Sequence, residues 1–371
     1  MFLALAEIRR AKARFVLLAG AIALLAFLIL FQQAIQSSLL RSLSGGIRNQ
    51  TAPVLVFNVD GRRFLQGSTV TADQQAAIEA LDEVGGAAAI RQGTFPVLVD
   101  GVSQATSVLG YDDASLGGPD DLVEGRLSAA PGEVVVSAAD VALGFELGSR
   151  VEVQPTGLEL TVVGVADDVG LNGLPTMFTD TDTYLSVLQT RNPAAGLPPA
   201  NALGVRSADG VGDGALVTAI NAISDDLDAA PRATAADTNP AVESITSSFR
   251  VVLGLFGVVV PLVTGLFFLI LTTQKSATLT LLRAIGAPAR RLVQALLVQV
   301  VIVLGVGLGL ASGLYLLVAR QEIGDLALRP EPTALVFWIV ALSVLGVLSA
   351  LASARRVLAV DPIVATTGAT R

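Results

Sequence analysis

The stretch Gln274–Leu292, QKSATLTLLRAIGAPARRL, is a short basic connection between two long apolar segments. It contains no acidic residue, and its positive charges are Lys275, Arg283, Arg290 and Arg291. Lysine and arginine in short loops stay on the cytoplasmic side of a membrane, so this loop is predicted to face the cytoplasm. That prediction sets the orientation of the apolar segments on both sides of it.

The middle of this loop has the pattern of a short helix. Leu279, Leu282 and Ile285 are spaced three apart and share one helical face. Gly286 occupies the position of a left-handed closing residue, and Pro288 prevents the helix from continuing. We therefore predict a small helix with an exposed apolar side that a cytoplasmic partner can bind.

Composition places the chain among membrane proteins. Of its 371 residues, 52% are hydrophobic and only 15% are charged. Four apolar stretches are long enough to cross the hydrocarbon core of a bilayer. With both termini cytoplasmic, the predicted order is an interfacial helix (1–14), a first span (15–35), an extracytoplasmic domain (36–248), a second span (249–273), the cytoplasmic coupling loop and helix (274–291), a third span (292–318), a short external loop (319–332), a fourth span (333–353) and a cytoplasmic tail (354–371).

The charged residues are divided between the predicted exported domain and the rest of the chain. Residues 37–248 hold 27 acidic and 10 basic residues, a formal charge of −17. The rest of the chain holds 5 acidic and 14 basic residues, a formal charge of +9. This division is typical of an acidic exported domain attached to a basic cytoplasmic base. We interpret the acidity as a solvated surface rather than as a site for a cationic ligand.

The exported region alternates between strand and helix patterns. Pro53–Val59 is a predicted strand, Thr71–Val84 a helix opened by a capping box of Thr71 and Gln74, and Phe95–Val99 a returning strand. A second β-α-β unit is predicted from a strand at 202–206, a helix at 212–227 and a return strand at 232–236, and a β-rich insert between the units from strands at 133–137, 150–154 and 159–165. The predicted fold class is an α-helical membrane protein with four transmembrane helices and an α+β extracytoplasmic domain.

Two features stand out inside the spans. Pro261 removes one helical hydrogen bond in the second span and is a candidate hinge. Gly305, Gly309 and Gly313 repeat at four-residue spacing in the third span, which allows another helix to approach closely, either within the subunit or across a dimer.

The sequence excludes several kinds of chemistry. It contains no cysteine and no histidine, so a thiol nucleophile, an imidazole base and a zinc site built on them are excluded. Neither lysine lies in a phosphate-binding glycine-rich loop, so the chain is not expected to be an ATPase. We predict no catalytic or metal-binding residues and no nucleic-acid partner. The interiors of the spans lack ionisable residues, which disfavours an ion-coupled transporter.

Two short motifs carry a resemblance to a known family. The run Leu282-Arg283-Ala284-Ile285-Gly286-Ala287 after a span, and Arg355-Arg356 followed by Asp361-Pro362-Ile363 after the last span, resemble the MacB/FtsX-like permeases. These are the membrane subunits of type VII ABC transporters in bacterial inner membranes. Residues 120–170 resemble the extracytoplasmic core of the same family, which pairs porter-like β-α-β units with a β-rich insertion. The opening residues LALAEIRRAKARF resemble its DevC-like branch.

The resemblance implies a mechanism and a set of partners. A separate cytoplasmic ATPase, which binds ATP and Mg, would contact the coupling helix at Lys275, Leu279, Leu282, Arg283, Ala284, Ile285 and Gly286. ATP hydrolysis would then move the exported domain, which is called mechanotransmission, and so export or extract a lipid, lipoprotein, peptide or drug. Further implied partners are a second permease copy forming a homodimer, a periplasmic adaptor or other extracytoplasmic partner, and membrane lipids.

Two alternatives stay open at this point. An FtsX-like regulator of a cell-wall hydrolase would share the topology and the motifs. A membrane-anchored receptor or scaffold without an ATPase would be indifferent to mutation of the basic loop.

Overall fold

The structure is a computed structural model that describes residues 12–274, 289–319, 322–323 and 326–358. The helices are α1 (Lys12–Arg48), α2 (Ala72–Glu79), α3 (Thr181–Gln189), α4 (Asp213–Asn221), α5 (Arg232–Asp237), α6 (Pro240–Gln274), α7 (Ala289–Val318) and α8 (Pro332–Leu358). The strands are β1 (Val54–Asn58), β2 (Val84–Val99), β3 (Val102–Tyr111), β4 (Leu122–Gly125), β5 (Glu133–Ser137), β6 (Arg150–Val153), β7 (Leu158–Ala166), β8 (Thr176–Asp180), β9 (Ala202–Ser207), β10 (Leu227–Pro231), β11 (Glu322–Ile323) and β12 (Leu326–Ala327).

The described residues form two compact units. One contains α1 up to residue 36 and the chain from residue 248 onward, and the other contains residues 37–247. Within the described chain, four helices are long and apolar enough to cross a membrane: Lys12–Arg48, Pro240–Leu266, Leu297–Val318 and Pro332–Ser349. The protein is therefore a membrane protein with four apolar helices and a separate mixed α/β unit.

In the helical unit, α1 packs along α7. Leu18 and Ile22 of α1 are buried against Val303 and Leu304 of α7. Gly307 allows the close approach, because a Cβ on it would lie 3.0 Å from the carbonyl oxygen of Ala19. Burial recurs at three- to four-residue intervals along α1, which is the pattern of a helix with one packed face.

The mixed unit is built on a four-stranded antiparallel sheet in the order β10-β1-β9-β2. In this order β9 lies between β1 and β2, and β1 lies between β9 and β10. Each β-α-β unit is therefore split by a strand of the other, which is the ferredoxin-like arrangement. Side chains of α2 and α4, including Ile78, Leu216 and Ile220, pack on one face of this sheet. The prediction of two β-α-β units is confirmed.

Residues 100–201, between β2 and β9, form the insert. Its strands close with the C-terminal part of β2 into a ring in the order β2-β3-β8-β5-β7-β6, and β6 returns to pair with β2. The interior of this six-stranded barrel is filled by apolar side chains such as Phe95, Phe145 and Met177, each at most 3% exposed. The predicted β-rich insertion is thus a closed barrel that shares one strand with the ferredoxin-like sheet.

Several boundaries differ from the predictions. The predicted return strand at 232–236 was wrong, because the strand is β10 and these residues begin α5. The predicted helix at 212–227 ends at Asn221, where the turn-forming sequence Ser224-Asp225-Asp226 follows. The predicted helix at Thr71–Val84 ends at Glu79, although its capping box is present. The strand at Phe95–Val99 is only the last part of the 16-residue β2.

Other elements lie close to their predicted bounds. Strand β5 coincides with the prediction, β6 ends one residue earlier, and β7 is one residue longer at each end. Helix α1 continues beyond the predicted first span to Arg48, and α8 continues beyond the fourth to Leu358. Residues 322–327 of the predicted external loop include the short hairpin β11–β12.

Candidate functional site

A loop of the insert wraps the last turns of α1. We call residues 167–175, between β7 and β8, the clasp loop. The amide of Gly46 donates to the carbonyl of Gly170 at 2.8 Å, and the amide of Gly173 donates to the carbonyl of Ser42 at 3.0 Å. Backbone carbonyls near a helix end need partners, and the clasp loop supplies them.

A glycine makes this contact possible. A Cβ on Gly45 would lie 2.2 Å from the carbonyl oxygen of Asp168, too close for any other residue without a shift of backbone. The same carbonyl accepts a hydrogen bond from Asn49 Nδ2 at 2.7 Å, and the Asp168 carboxylate lies 3.5 Å from Arg41. Side chains and backbone of Arg41–Asn49 are therefore both fixed by the clasp loop. We call this contact the α1 anchor.

A buried carboxylate supports the clasp loop from behind. Asp140 Oδ2 accepts from the Thr176 amide at 2.7 Å, and Thr176 Oγ1 accepts from the Leu171 amide at 2.9 Å. Burial raises the pKa of Asp140 to about 7, although the hydrogen bond from Thr176 acts in the opposite direction. The group that supports the α1 anchor therefore titrates near neutral pH.

A second cluster holds the start of α6. Arg63 donates from Nε and Nη2 to the two carboxylate oxygens of Asp228 at 2.7 and 2.8 Å, and from Nη1 to Thr238 Oγ1. Its carbonyl accepts from Asn239 Nδ2 at 3.4 Å, one residue before α6 begins. The hydrogen bonds to Asp228 raise the pKa of Arg63. We call this cluster the α6 anchor.

Arg63 adopts an unfavourable backbone conformation in this position. Its φ is +64° and that of Arg62 is +47°, the left-handed region that non-glycine residues occupy rarely. Such residues persist only where the surroundings fix them, and here the bidentate pair with Asp228 does so. The loop after β1 is thus shaped to reach the start of α6.

Two exposed ion pairs link the surroundings of the two anchors. Arg48, at the end of α1, pairs with Asp237, at the end of α5. Arg232 pairs with Asp120 of the insert at 2.8 Å and also donates to the carbonyl of Gln50. Their side chains are 33–60% exposed, so each pair contributes about 0–1 kcal/mol.

The predicted site residues have different outcomes. The coupling residues Lys275, Leu279, Leu282, Arg283, Ala284, Ile285 and Gly286 lie outside the described residues, as do residues 1–11 of the predicted interfacial helix and 359–371 of the tail.

The small-residue stripe of α7 lies on its exposed side. No described atom would come within 4 Å of a Cβ on Gly305, Gly309 or Gly313. The glycine of α7 that packs inside the subunit is Gly307, which lies between them in sequence. Pro261 lies within α6, and its carbonyl accepts a hydrogen bond from Ser349 Oγ of α8 at 2.6 Å.

Sequence reasoning missed both anchors. Their residues are mostly polar side chains in loops, and each finds its partner far away in the chain; Asn49 and Asp168, for example, are 119 residues apart. The available local signal was the Gly45-Gly46 pair, which is unfavourable in a helix interior unless something approaches closely there. Among the described residues, no group of three or more acidic side chains could hold a metal ion.

Comparison with known proteins gives similarity in fold. No family model and no curated protein matches the chain. Among solved structures, the periplasmic region of MacB from Actinobacillus actinomycetemcomitans is similar at 16% identity and a TM-score of 0.37, over 51% of this chain and 92% of that one. The extracellular domain of the ABC-type transporter YknZ from Gram-positive bacteria is similar at 13% identity and a TM-score of 0.33, over 48% and 98%.

Proposed function

We propose that this chain is the permease subunit of a type VII ABC transporter in a bacterial cytoplasmic membrane. A separate cytoplasmic ATPase binds the coupling helix within 274–291, and its nucleotide cycle moves the exported domain by mechanotransmission. This movement of the exported domain exports or extracts a lipid, lipoprotein, peptide or drug. The chain itself is not an enzyme, and ATP and Mg are bound by the partner.

One observation carries this proposal. Helix α1 is a single element from Lys12 to Arg48, and its last turns are fastened by the α1 anchor. An uninterrupted helix transmits a displacement along its axis better than a span followed by a loop does. A receptor that only holds an exported domain needs no such fastening, whereas a subunit that moves its domain does.

The second permease copy is proposed to pack on the exposed glycine stripe of α7. A Cβ on Gly305, Gly309 or Gly313 would meet no atom of another described element within 4 Å, and small residues let helix backbones approach closely. In this arrangement the chain is a homodimer in which each copy binds one ATPase subunit. An extracytoplasmic adaptor and membrane lipids complete the proposed assembly.

The decisive experiment is co-expression with candidate ATPases, followed by co-purification in detergent and measurement of ATP hydrolysis. The double variant Leu282→Asp with Ile285→Asp places two charges on the apolar face of the predicted coupling helix and is expected to abolish both co-purification and activity. The matched control is Ala277→Asp with Thr280→Asp, which adds the same charge to the opposite face of that helix.

The outcomes separate the alternatives. Loss of the partner in the first variant but not in the control supports the proposed coupling. If no ATPase co-purifies with the wild type, or if both double variants retain it equally, the transporter proposal fails and a receptor or scaffold is favoured. If the ATPase binds but a co-expressed cell-wall hydrolase is activated in place of transport, the FtsX-like regulator is favoured.

A further inference from the structure

Strand β2 has a gap in the pairing along one of its edges. On that edge β9 pairs with β2 as far as Ile90, opposite Ala202, and β6 pairs from Val97, opposite Val153. The other edge is paired with β3 without interruption from Ile90 to Val99. Between Ile90 and Val97, none of the described strands occupies the first edge.

The backbone direction in this gap follows from neighbouring hydrogen bonds. The Ile90 carbonyl accepts from the Asn201 amide at 2.9 Å, the Gln92 amide donates to Asn201 Oδ1 at 2.8 Å, and the Pro96 carbonyl accepts from the Gln154 amide at 3.0 Å. Even-numbered residues of β2 therefore direct their amide and carbonyl groups away from β3 and toward the gap, since these directions alternate along a strand.

Thr94 lies in the middle of the gap. Its paired residue on β3 is Ser107, whose amide donates to Pro175 at 2.8 Å and so turns away from β2. The Thr94 carbonyl accepts a hydrogen bond of 3.3 Å from Arg191 Nη1. No acceptor for the Thr94 amide is present in the part of the chain that the structure describes. An open donor and a weakly used acceptor thus lie side by side at a strand edge.

A proline limits pairing in the gap. Continuing the register of β9 would place Pro198 opposite Thr94. Proline has no amide hydrogen and cannot donate to a neighbouring strand. Strand β9 therefore cannot complete a hydrogen-bonded pair with Thr94, and among the described residues the edge remains available.

A groove of about 450 Å³ follows this edge. Its walls include the rings of Phe95 and Tyr184, which meet edge to face, together with Pro198, Pro199 and Arg191. The volume lies within the range of about 300–1,000 Å³ that is typical of ligand sites. Arg191 is the charged residue among those that line it, and its side chain is exposed.

Two further details fit an occupied groove. Gln92 is only 5% exposed, yet its Oε1 has no hydrogen-bond partner among the described residues. At Gly93, a Cβ would lie 2.6 Å from the Phe95 ring and 3.1 Å from the Tyr184 hydroxyl, so a side chain there would disturb the aromatic wall.

We propose that this groove binds an extended segment of another protein, which adds as a short strand to the edge of β2 at Thr94 and places an acidic side chain at Arg191. The backbone of the segment accepts a hydrogen bond from the Thr94 amide and donates one to the Gln92 carbonyl, as in other cases of strand addition. From Gln92 to Pro96 the edge spans about 13 Å at roughly 3.3 Å per residue, which suits a contact of two to four residues. This inference goes beyond the proposed function and does not require the ATPase.

A peptide fits this site better than a lipid chain. An acyl chain would leave the Thr94 amide and the Gln92 carbonyl without partners, and an unmade hydrogen bond at a buried polar group costs about 1–3 kcal/mol. A peptide backbone supplies an acceptor and a donor at the spacing of a strand. The single arginine favours a segment with an acidic residue.

The test uses the purified full-length protein in detergent micelles, without ATPase or nucleotide. A positional-scanning library of acetylated pentapeptides is screened, and the best peptide is labelled for fluorescence anisotropy. We expect an enrichment of acidic residues at one position. N-methylation of the central amide of this peptide is expected to weaken binding at least about tenfold, because it removes a backbone donor.

Two variants of the protein complete the test. Arg191→Glu is expected to weaken the acidic peptide at least about tenfold and to favour a lysine-containing version of it. The matched control is Arg150→Glu, at a 74% exposed arginine of β6, which should leave binding unchanged. Hydrogen exchange should show new protection in the segment that contains Thr94 when the peptide is bound.

Three results would overturn the inference. They are no binding by any member of the library, equal binding of the N-methylated peptide, or equal effects of Arg191→Glu and Arg150→Glu. None of these results affects the ATPase experiment, so failure of this site and failure of the proposed function are distinguishable.

Discussion

Replacing Gly45 by alanine tests whether the close contact between α1 and the clasp loop is needed. In an exposed helix interior this change would stabilise by up to about 1 kcal/mol. Here the new methyl group would lie 2.2 Å from the Asp168 carbonyl oxygen, and its other near neighbours are also backbone atoms. The clasp loop must therefore shift by about 1 Å to restore ordinary contact distances.

The magnitude follows from the hydrogen bonds that such a shift breaks. Three hydrogen bonds would be broken: from the Gly46 amide to the Gly170 carbonyl (2.8 Å), from Asn49 Nδ2 to the Asp168 carbonyl (2.7 Å), and from the Gly173 amide to the Ser42 carbonyl (3.0 Å). At about 1 kcal/mol each, their loss exceeds the gain in helix propensity by about 2 kcal/mol. For a unit of this size that corresponds to a decrease in melting temperature of about 4–8 °C.

The assay combines calorimetry with hydrogen exchange on the full-length protein in detergent. The amides of Gly46 and Gly173 should exchange roughly 30-fold faster in Gly45→Ala, as a loss of about 2 kcal/mol implies. The control is Gly214→Ala in α4, where a Cβ meets nothing within 4 Å and a small stabilisation is expected. If Gly45→Ala is as stable as the control and the clasp-loop amides keep their protection, the reasoning is refuted.

Two other predictions concern Asp140 and the glycines of α7. The pKa of Asp140, about 7 in the folded state, lies above its ordinary value of 3.8, so the unfolded state binds fewer protons and the stability of the mixed unit should fall as pH rises from about 4 to 7, by about 4 kcal/mol in all. Calorimetry at pH 5 and 8 should show about 2–3 kcal/mol of this fall in the wild type and in the exposed-site control Asp209→Asn, but not in Asp140→Asn. Gly307→Val should lower the melting temperature of the monomer, because the new side chain would press on α1. Gly309→Val lies on the open side of α7 and should leave the monomer stable. It should instead reduce the fraction of dimer measured by mass photometry.

The membrane helices and much of the insert were predictable because their signals are local. An apolar stretch of about 20 residues indicates a span whatever surrounds it. The capping box of Thr71 and Gln74 lies within four residues, and the alternation in Glu133–Ser137 lies within five. In each case the pattern is complete inside the element that it predicts.

Strand β2 was predicted only in part because its surroundings change along its length. It pairs with β9 in its first half and with β3 and β6 in its second, so its burial does not alternate regularly. Gly85 and Gly86 at its start resemble a turn, and Arg91 and Gln92 are polar residues that the fold buries. The anchors were unpredictable for a related reason, since their partners come together only when the sheet and the barrel have formed.

The two anchors fix the last turns of α1 and the start of α6 to different halves of the mixed unit. The α1 anchor belongs to the insert, through the clasp loop, whereas the α6 anchor belongs to the ferredoxin-like sheet, through Arg63 and Asp228. Several hydrogen bonds hold each anchor, and the pair of Arg63 with Asp228 is about three-quarters buried.

The halves are joined by exposed ion pairs and by a buried apolar cluster in which Leu55 and Phe57 of β1 lie with Val135 and Phe178 of the insert. The linking ion pairs Arg48–Asp237 and Arg232–Asp120 are exposed and contribute about 0–1 kcal/mol each. The shared strand is β2, and its unpaired stretch from Gln92 to Pro96 is where the two halves meet. The groove at Thr94 therefore lies on the strand that the two halves share.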